Sequence, residues 1–171
     1  AFLHARGKEC SNSTVCLLET GETISHFVFL NKGEVVLVGK MPFGARALRT
    51  QLSSDLGVDD DLASSILNDR SINISSSLSK VLSPFIKQLS ISKDFIERHQ
   101  GSKVSCIYVS GGLSLLPSWN AELGQLLNSE VRRWNPLENI TCDPEILTQE
   151  MNDQATRFSA AIGAAIGGFK L

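Results

Sequence analysis

Two short stretches of the chain set glycine beside hydroxyl or acidic neighbours in a way that could serve a ligand. One is Gly111-Gly112-Leu113-Ser114, which follows the β-branched and aromatic run Val104-Ser105-Cys106-Ile107-Tyr108-Val109 and precedes Pro117. That run is long enough for a buried strand, and Pro is well tolerated at the first helical position. Strand, paired glycines and helix start let backbone approach a ligand closely at the carboxyl end of a strand. The same residues also suit a tight turn with nothing bound. The second stretch is Glu19-Thr20-Gly21-Glu22-Thr23, a tight turn rich in hydroxyls and carboxylates between two apolar runs.

Other chemistry finds little support. His4, His26 and His99 lie far apart, and no Ser or Cys stands in a nucleophile-elbow pattern. Cys10, Cys16, Cys106 and Cys142 lack the short spacing of a zinc site, so buried reduced thiols are expected. Asp59-Asp60-Asp61 is read as the acidic opening of a helix, not as a calcium loop. Trp119 and Trp134 are read as core and rim residues.

Composition narrows the class further. The chain has 171 residues, 42% of them hydrophobic and 20% charged, which suits one globular core. A net charge of −2 gives no basic footprint, so phosphate-driven binding of nucleic acid is not expected. No apolar run approaches the roughly 20 residues needed to span a bilayer. Asn12-Ser13-Thr14, Asn73-Ile74-Ser75 and Asn139-Ile140-Thr141 are formal glycosylation sequons, but the cysteine pattern and the lack of a signal peptide favour the cytoplasm. Ala1-Phe2-Leu3-His4-Ala5 resembles the last turn of a helix, so a fragment of something longer is expected.

The elements that must position the two glycine turns follow from periodicity. Val15–Leu18, Ile24–Leu30 and Glu34–Met41 read as a β-meander, with Asn31-Lys32-Gly33 at its second turn. Leu48, Leu52 and Leu56 define an amphipathic helix stopped by Gly57. Leu62, Ala63, Ile66 and Leu67 are the expected buried face of the next helix, and Asn68–Ser77 reads as a loop. A longer helix carries Leu78, Val81, Leu82, Phe85, Ile86 and Leu89, then Phe95 and Ile96, with Pro84 expected to start or kink part of it. Trp119, Leu123, Leu126 and Leu127 mark the helix after Pro117, and Val131–Trp134 an edge strand. One continuous last helix is expected from about Thr148, with Met151, Ala155, Phe158, Ile162, Ile166 and Phe169 packed on the sheet.

This order of elements resembles the second half of an actin-like ATPase (ribonuclease H-like) fold, the superfamily of actin, heat-shock chaperones, FtsA and sugar kinases. Within it, Lys40-Met41-Pro42-Phe43-Gly44, Leu56-Gly57-Val58 and the acid-led helix with Ala63 are similar to PilM, the actin-like protein of type IV pilus assembly and related type II secretion systems. Gly111-Gly112-Leu113-Ser114-Leu115-Leu116-Pro117-Ser118-Trp119 resembles that family's adenosine motif, and Arg157–Gly168 its second connecting helix. The resemblance implies an α/β half with a mixed five-stranded sheet (about 1–50 and 101–171) and a small, mostly helical insert (about 51–100). It implies ATP with magnesium as cofactor, an absent N-terminal half, and a partner of the PilN type in the inner membrane. A cytoplasmic, membrane-peripheral location follows, and a homo-oligomer is allowed.

The same resemblance assigns site residues. Glu19 takes the place of the acid that acts on metal-bound water, while Gly21, Glu22, Thr23 and Ser25 form the second phosphate loop. Gly111, Gly112, Leu113 and Ser114 border the adenosine. Three departures from the family pattern point to a weakened or lost site. Glu19 replaces Asp and Glu22 adds negative charge where phosphate would lie; Ser64 and Leu67 stand where a Glu and a Lys commonly meet sugar and base; Leu113 replaces a smaller residue. A scaffold is therefore the leading expectation, with an active ATPase or an FtsA-like division filament as alternatives. All of them require the turns at Gly21 and at Gly111-Gly112 to leave the same edge of one sheet.

Overall fold

The computed structural model describes residues 1–69, 72, 74–138, 140–141 and 148–168. Asn73, Asn139, Cys142 and Phe169, named above, lie outside them.

A meander of β1 (Thr14–Thr20), β2 (Ser25–Asn31) and β3 (Glu34–Met41) is followed by helices α2 (Ala45–Leu56), α3 (Asp60–Asn68) and α4 (Ser75–Gln100). The chain then re-enters the sheet through β4 (Val104–Gly111), turns into α5 (Pro117–Leu127) and adds β5 (Val131–Arg133). A helix α1 (Phe2–Cys10) precedes the meander, and α6 (Gln149–Asp153) and α7 (Ser159–Gly168) follow β5. The strand order is β3-β2-β1-β4-β5. β1 is antiparallel to β2 and parallel to β4, and β5 is parallel to β4. This is the mixed five-stranded sheet with flanking helices that the sequence implied.

β1 is central, which explains its nearly unbroken apolar run: a strand covered on both faces has no solvent side to alternate toward. Cys16 and Leu18 face one way, into a core shared with Phe27, Phe29, Leu48, Leu82, Trp119 and Leu123 from the meander, α2, α4 and α5. Val15 faces the other way, with Leu30, Cys106, Tyr108 and Trp134, and α1 covers this side through Phe2 and Cys10. Phe2 makes ring contacts at 4.8 Å to Tyr108 and 5.2 Å to Trp134. The residues after Ala1, read as a last helical turn, lie in α1, which runs on to Cys10 past a kink at Arg6 (φ −131, ψ 16).

Several elements differ from expectation for identifiable reasons. Asp59 is the cap of α3, its carboxylate accepting from the Leu62 amide at 2.8 Å, and only Ala63 and Leu67 are buried there; Leu62 is exposed. Leu56, Phe95 and Leu126, all part of the expected helical periodicity, are exposed as well. α4 begins at Ser75, within the expected loop, and passes Pro84 without a break. Leu78, Leu82, Phe85, Ile86 and Leu89 are all buried along it, and that packing holds the helix through a residue that removes one of its hydrogen bonds. The last helix is not continuous. α6 is capped by the Thr148 hydroxyl, Gln154 leaves helical geometry (φ −96, ψ 2), and a 3₁₀ turn at Ala155–Phe158 buries Ala155 and Thr156 before α7 begins.

Candidate functional site

The parallel register of β1 and β4 pairs Thr20 with Gly111. The two glycine turns therefore leave the same edge of the sheet, side by side, and border one cleft of about 770 Å³. The β1 turn contributes Glu19, Thr20, Gly21 and Glu22; the β4 turn contributes Gly111, Gly112, Leu113, Leu115 and Leu116. Ala45 and Arg49 close one side from α2, Ser64, Leu67 and Asn68 come from α3, and Gln154 and Arg157 come from the segment before α7.

The β4 turn depends on its first glycine. Gly111 has φ 84 and ψ 178, and a Cβ there would lie 2.1 Å from the Thr20 carbonyl oxygen. No other residue tolerates that conformation or that contact. The Ser114 hydroxyl donates to the Gly111 carbonyl at 2.7 Å, and Asn120 Nδ2 donates to the Ser114 carbonyl at 2.9 Å, so the turn is locked from beneath. Gly112 is different: a Cβ would meet nothing within 4 Å, leaving its backbone open. Leu113 and Ser114 are both buried, and of the two only Leu113 reaches the cleft.

The β1 turn is bound to α2. The Gly21 and Glu22 carbonyls accept from the amides of Ala45 (3.0 Å) and Arg46 (2.9 Å), satisfying two donors that a helix start would otherwise leave unpaired. This approach needs Gly44, where a Cβ would sit 2.4 Å from the Glu22 carbonyl carbon. Arg49 then reaches back to the Glu22 carboxylate with both terminal nitrogens, Nη1 at 3.1 Å from Oε2 and Nη2 on Oε1. Arg46 Nε lies 3.6 Å from the same carboxylate, and Arg49 Nε donates to Asp60 at 3.4 Å. The hydrogen bonds from Arg49 hold Glu22 below the usual carboxylate range, and the bonds to Glu22 raise Arg49 in turn.

The remaining expected residues are distributed unevenly. Glu19 borders the cleft half-buried, and among the described residues no hydrogen bond or ion pair engages its carboxylate. Ser64 and Leu67 also line the cleft. Ser25 is outside the cleft, buried, with its hydroxyl donating to the Phe43 carbonyl at 2.8 Å. Thr23 is exposed beside a separate depression with Pro42, Phe43 and Gly44. Sequence reasoning missed Arg49, Arg157 and Gln154. Arg49 follows the core residue Leu48, which marks it as a margin position, but only the folded sheet brings Glu22 within its reach.

Cys10, Cys16 and Cys106 are buried free thiols; burial pushes Cys106 up to about 11 and Cys16 higher still. Among the described residues no cluster of His, Cys, Asp and Glu could hold a metal ion, and no helix is long and apolar enough to cross a membrane.

A family model described as type IV pilus assembly protein PilM matches residues 4–169. Among curated proteins nothing matches. Among solved structures, a PilM-PilN type IV pilus biogenesis complex is similar at 23% identity and TM-score 0.82, covering 97% of this chain and 49% of that one. The ethanolamine utilization protein EutJ from Carboxydothermus hydrogenoformans is similar at 19% identity and TM-score 0.60, covering 95% and 51%. MreB 5 of Spiroplasma citri, bound to AMPPNP, is similar at 10% identity and TM-score 0.63, covering 97% and 56%. The fold is that of the actin-like proteins, and the chain spans about half the length of these relatives.

Proposed function

The chain belongs to the type IV pilus assembly protein PilM family, and from that premise we propose that it is the second half of a cytoplasmic actin-like scaffold with a weakened nucleotide site, held at the inner membrane through a PilN-type partner. The observation that carries the nucleotide part is the state of the cleft's charged end. There the Glu22 carboxylate stands in the turn where phosphate would lie, already engaged by Arg49. ATP with magnesium, which the fold family implies, fits at one end only. The open backbone of Gly112 and the apolar Leu67, Leu113 and Leu116 suit a nucleoside. Elsewhere in the cleft Glu19 sets like charge against a polyphosphate, and Glu22 holds the Arg49 guanidinium that would otherwise meet it.

The partner surfaces support the scaffold. α7 buries only Ser159, leaving Ala160, Ala161, Ala164 and Ala165 exposed. Beside it, Ile162, Ala165 and Ile166 border an apolar groove with His4, Leu137 and Ile140. An absent N-terminal half of the same fold would cover this face, since apolar helix surface of this extent is stable only when packed. PilN itself is named in the complex that this chain resembles.

Calorimetric titration of the full-length protein tests the proposal. A peptide from the cytoplasmic tail of the PilN-type protein should bind without nucleotide. Magnesium-dependent ATP binding in the micromolar range would overturn the weakened site, and absence of peptide binding would overturn the scaffold.

A further inference from the structure

We propose that the Glu22–Arg49 pair is an internal stopper: the carboxylate occupies the guanidinium that a phosphorylated nucleoside would otherwise take, so the cleft is closed by an exchangeable contact. The inference rests on the reading of this cleft as a weakened nucleotide site and says how the weakening works. A planar guanidinium presents paired donors that match carboxylate and phosphate equally well. Glu22 uses two of those donors as an external phosphate would.

The two partners differ in freedom, and the difference sets which one moves. The Arg49 side chain is only 18% exposed, whereas that of Glu22 is 49% exposed. Arg49 also holds Asp60 at 3.4 Å, which keeps the guanidinium at the cleft when Glu22 leaves. Arg46, by contrast, is 65% exposed and only brushes the carboxylate. Releasing Glu22 therefore swings one side chain into water and leaves a pre-set cation on the cleft wall.

The rest of the wall selects the ligand class. Leu67, Leu113 and Leu116 border the same cleft as Arg49, each less than a tenth exposed, and Gly112 leaves its backbone open there. Inorganic phosphate would use only the cation. A nucleoside mono- or diphosphate uses both.

ADP, AMP and inorganic phosphate, each with and without magnesium, are titrated into the full-length protein and into its Glu22→Gln, Arg49→Ala and double variants. Glu22→Gln should tighten ADP and AMP roughly tenfold, equivalent to ~1.4 kcal/mol, and inorganic phosphate by a similar factor from a weaker start, since each uses the freed cation. The gain should vanish in the double variant. Glu22→Gln binding ADP no tighter than the native protein, or a gain that survives loss of Arg49, overturns the stopper while leaving the weakened site intact. Micromolar ATP binding by the native protein overturns the weakened-site reading instead, and the ratio of Glu22→Gln to native still decides the stopper. Where Glu22→Gln fails to fold, the Arg49 Nε–H resonance of the native protein is followed in millimolar ADP. Its movement supports the exchange, and its standing still overturns it.

Discussion

The two glycines of the β4 turn are adjacent in sequence but should respond very differently to alanine. Gly111→Ala forces a backbone with φ 84 and ψ 178 onto a residue with a side chain, and its methyl carbon would lie 2.1 Å from the Thr20 carbonyl oxygen. Glycine-only backbone regions carry a penalty of about 1–3 kcal/mol, and overpacking against fixed atoms adds about 1–3 kcal/mol. The clash is with backbone of the paired strand, so no rotamer change relieves it; β1 and β4 must move apart by nearly an ångström. Gly111→Ala should therefore cost about 4 kcal/mol. Gly112→Ala meets nothing within 4 Å and should stay within about 0.5 kcal/mol of the native protein. Urea unfolding followed by the fluorescence of the fully buried Trp119 reads the difference directly. Equal costs for the two substitutions would refute the claim that close strand approach fixes Gly111.

Two further outcomes follow from charged groups away from the cleft. Asp55 ties α2 to α4, accepting from Lys80 at 2.7 Å and Ser77 at 2.6 Å, and these bonds, Lys80 first, hold it down to about 2 from its ordinary 3.8. Because the folded value is depressed, its contribution is present above pH 3.8 and lost as pH falls toward about 2; Asp55→Asn should flatten acid unfolding in that window alone. Glu97 is buried, a setting that opposes its ionisation, yet Lys103 at 2.6 Å, the Val104 amide at 3.0 Å and Lys93 keep it below the usual range. Glu97→Ala leaves the Val104 amide unpaired and should destabilise by about 2 kcal/mol, with Glu97→Gln, which can still accept from that amide, losing about half as much in the same urea assay.

The parts of the fold legible in the sequence were those set by local rules. Apolar runs parted by turn residues marked the meander, Pro117 the start of α5, and glycines after apolar runs both turns at the edge of the sheet. What could not be read depended on distant packing. Pro84 suggests a start or kink, but the buried row of Leu78, Leu82, Phe85, Ile86 and Leu89 carries α4 through it. Thr148, Gln154 and the buried Ala155 divide what periodicity joins into one helix. Ser25 has the residue type of a phosphate-loop hydroxyl, yet its bond to the Phe43 carbonyl is set by where β3 ends. Glu22 was legible as a negative charge in the β1 turn; its pairing with Arg49 was not, because the two stand 27 positions apart.

The adjacency of β1 and β4 has a consequence for how the molecule reaches its native state. Thr20 Oγ1 donates to the Ser110 carbonyl at 3.2 Å across 90 positions of chain. The meander can form from neighbouring segments, but this pairing must wait until the three intervening helices have closed a long loop, a step whose entropy opposes early formation. Half of the cleft is thus supplied by a late event in folding. A nascent chain ending short of Gly111 carries the Glu22 turn and the α2 and α3 walls but not the β4 turn, and its cleft is complete only when the later segments arrive.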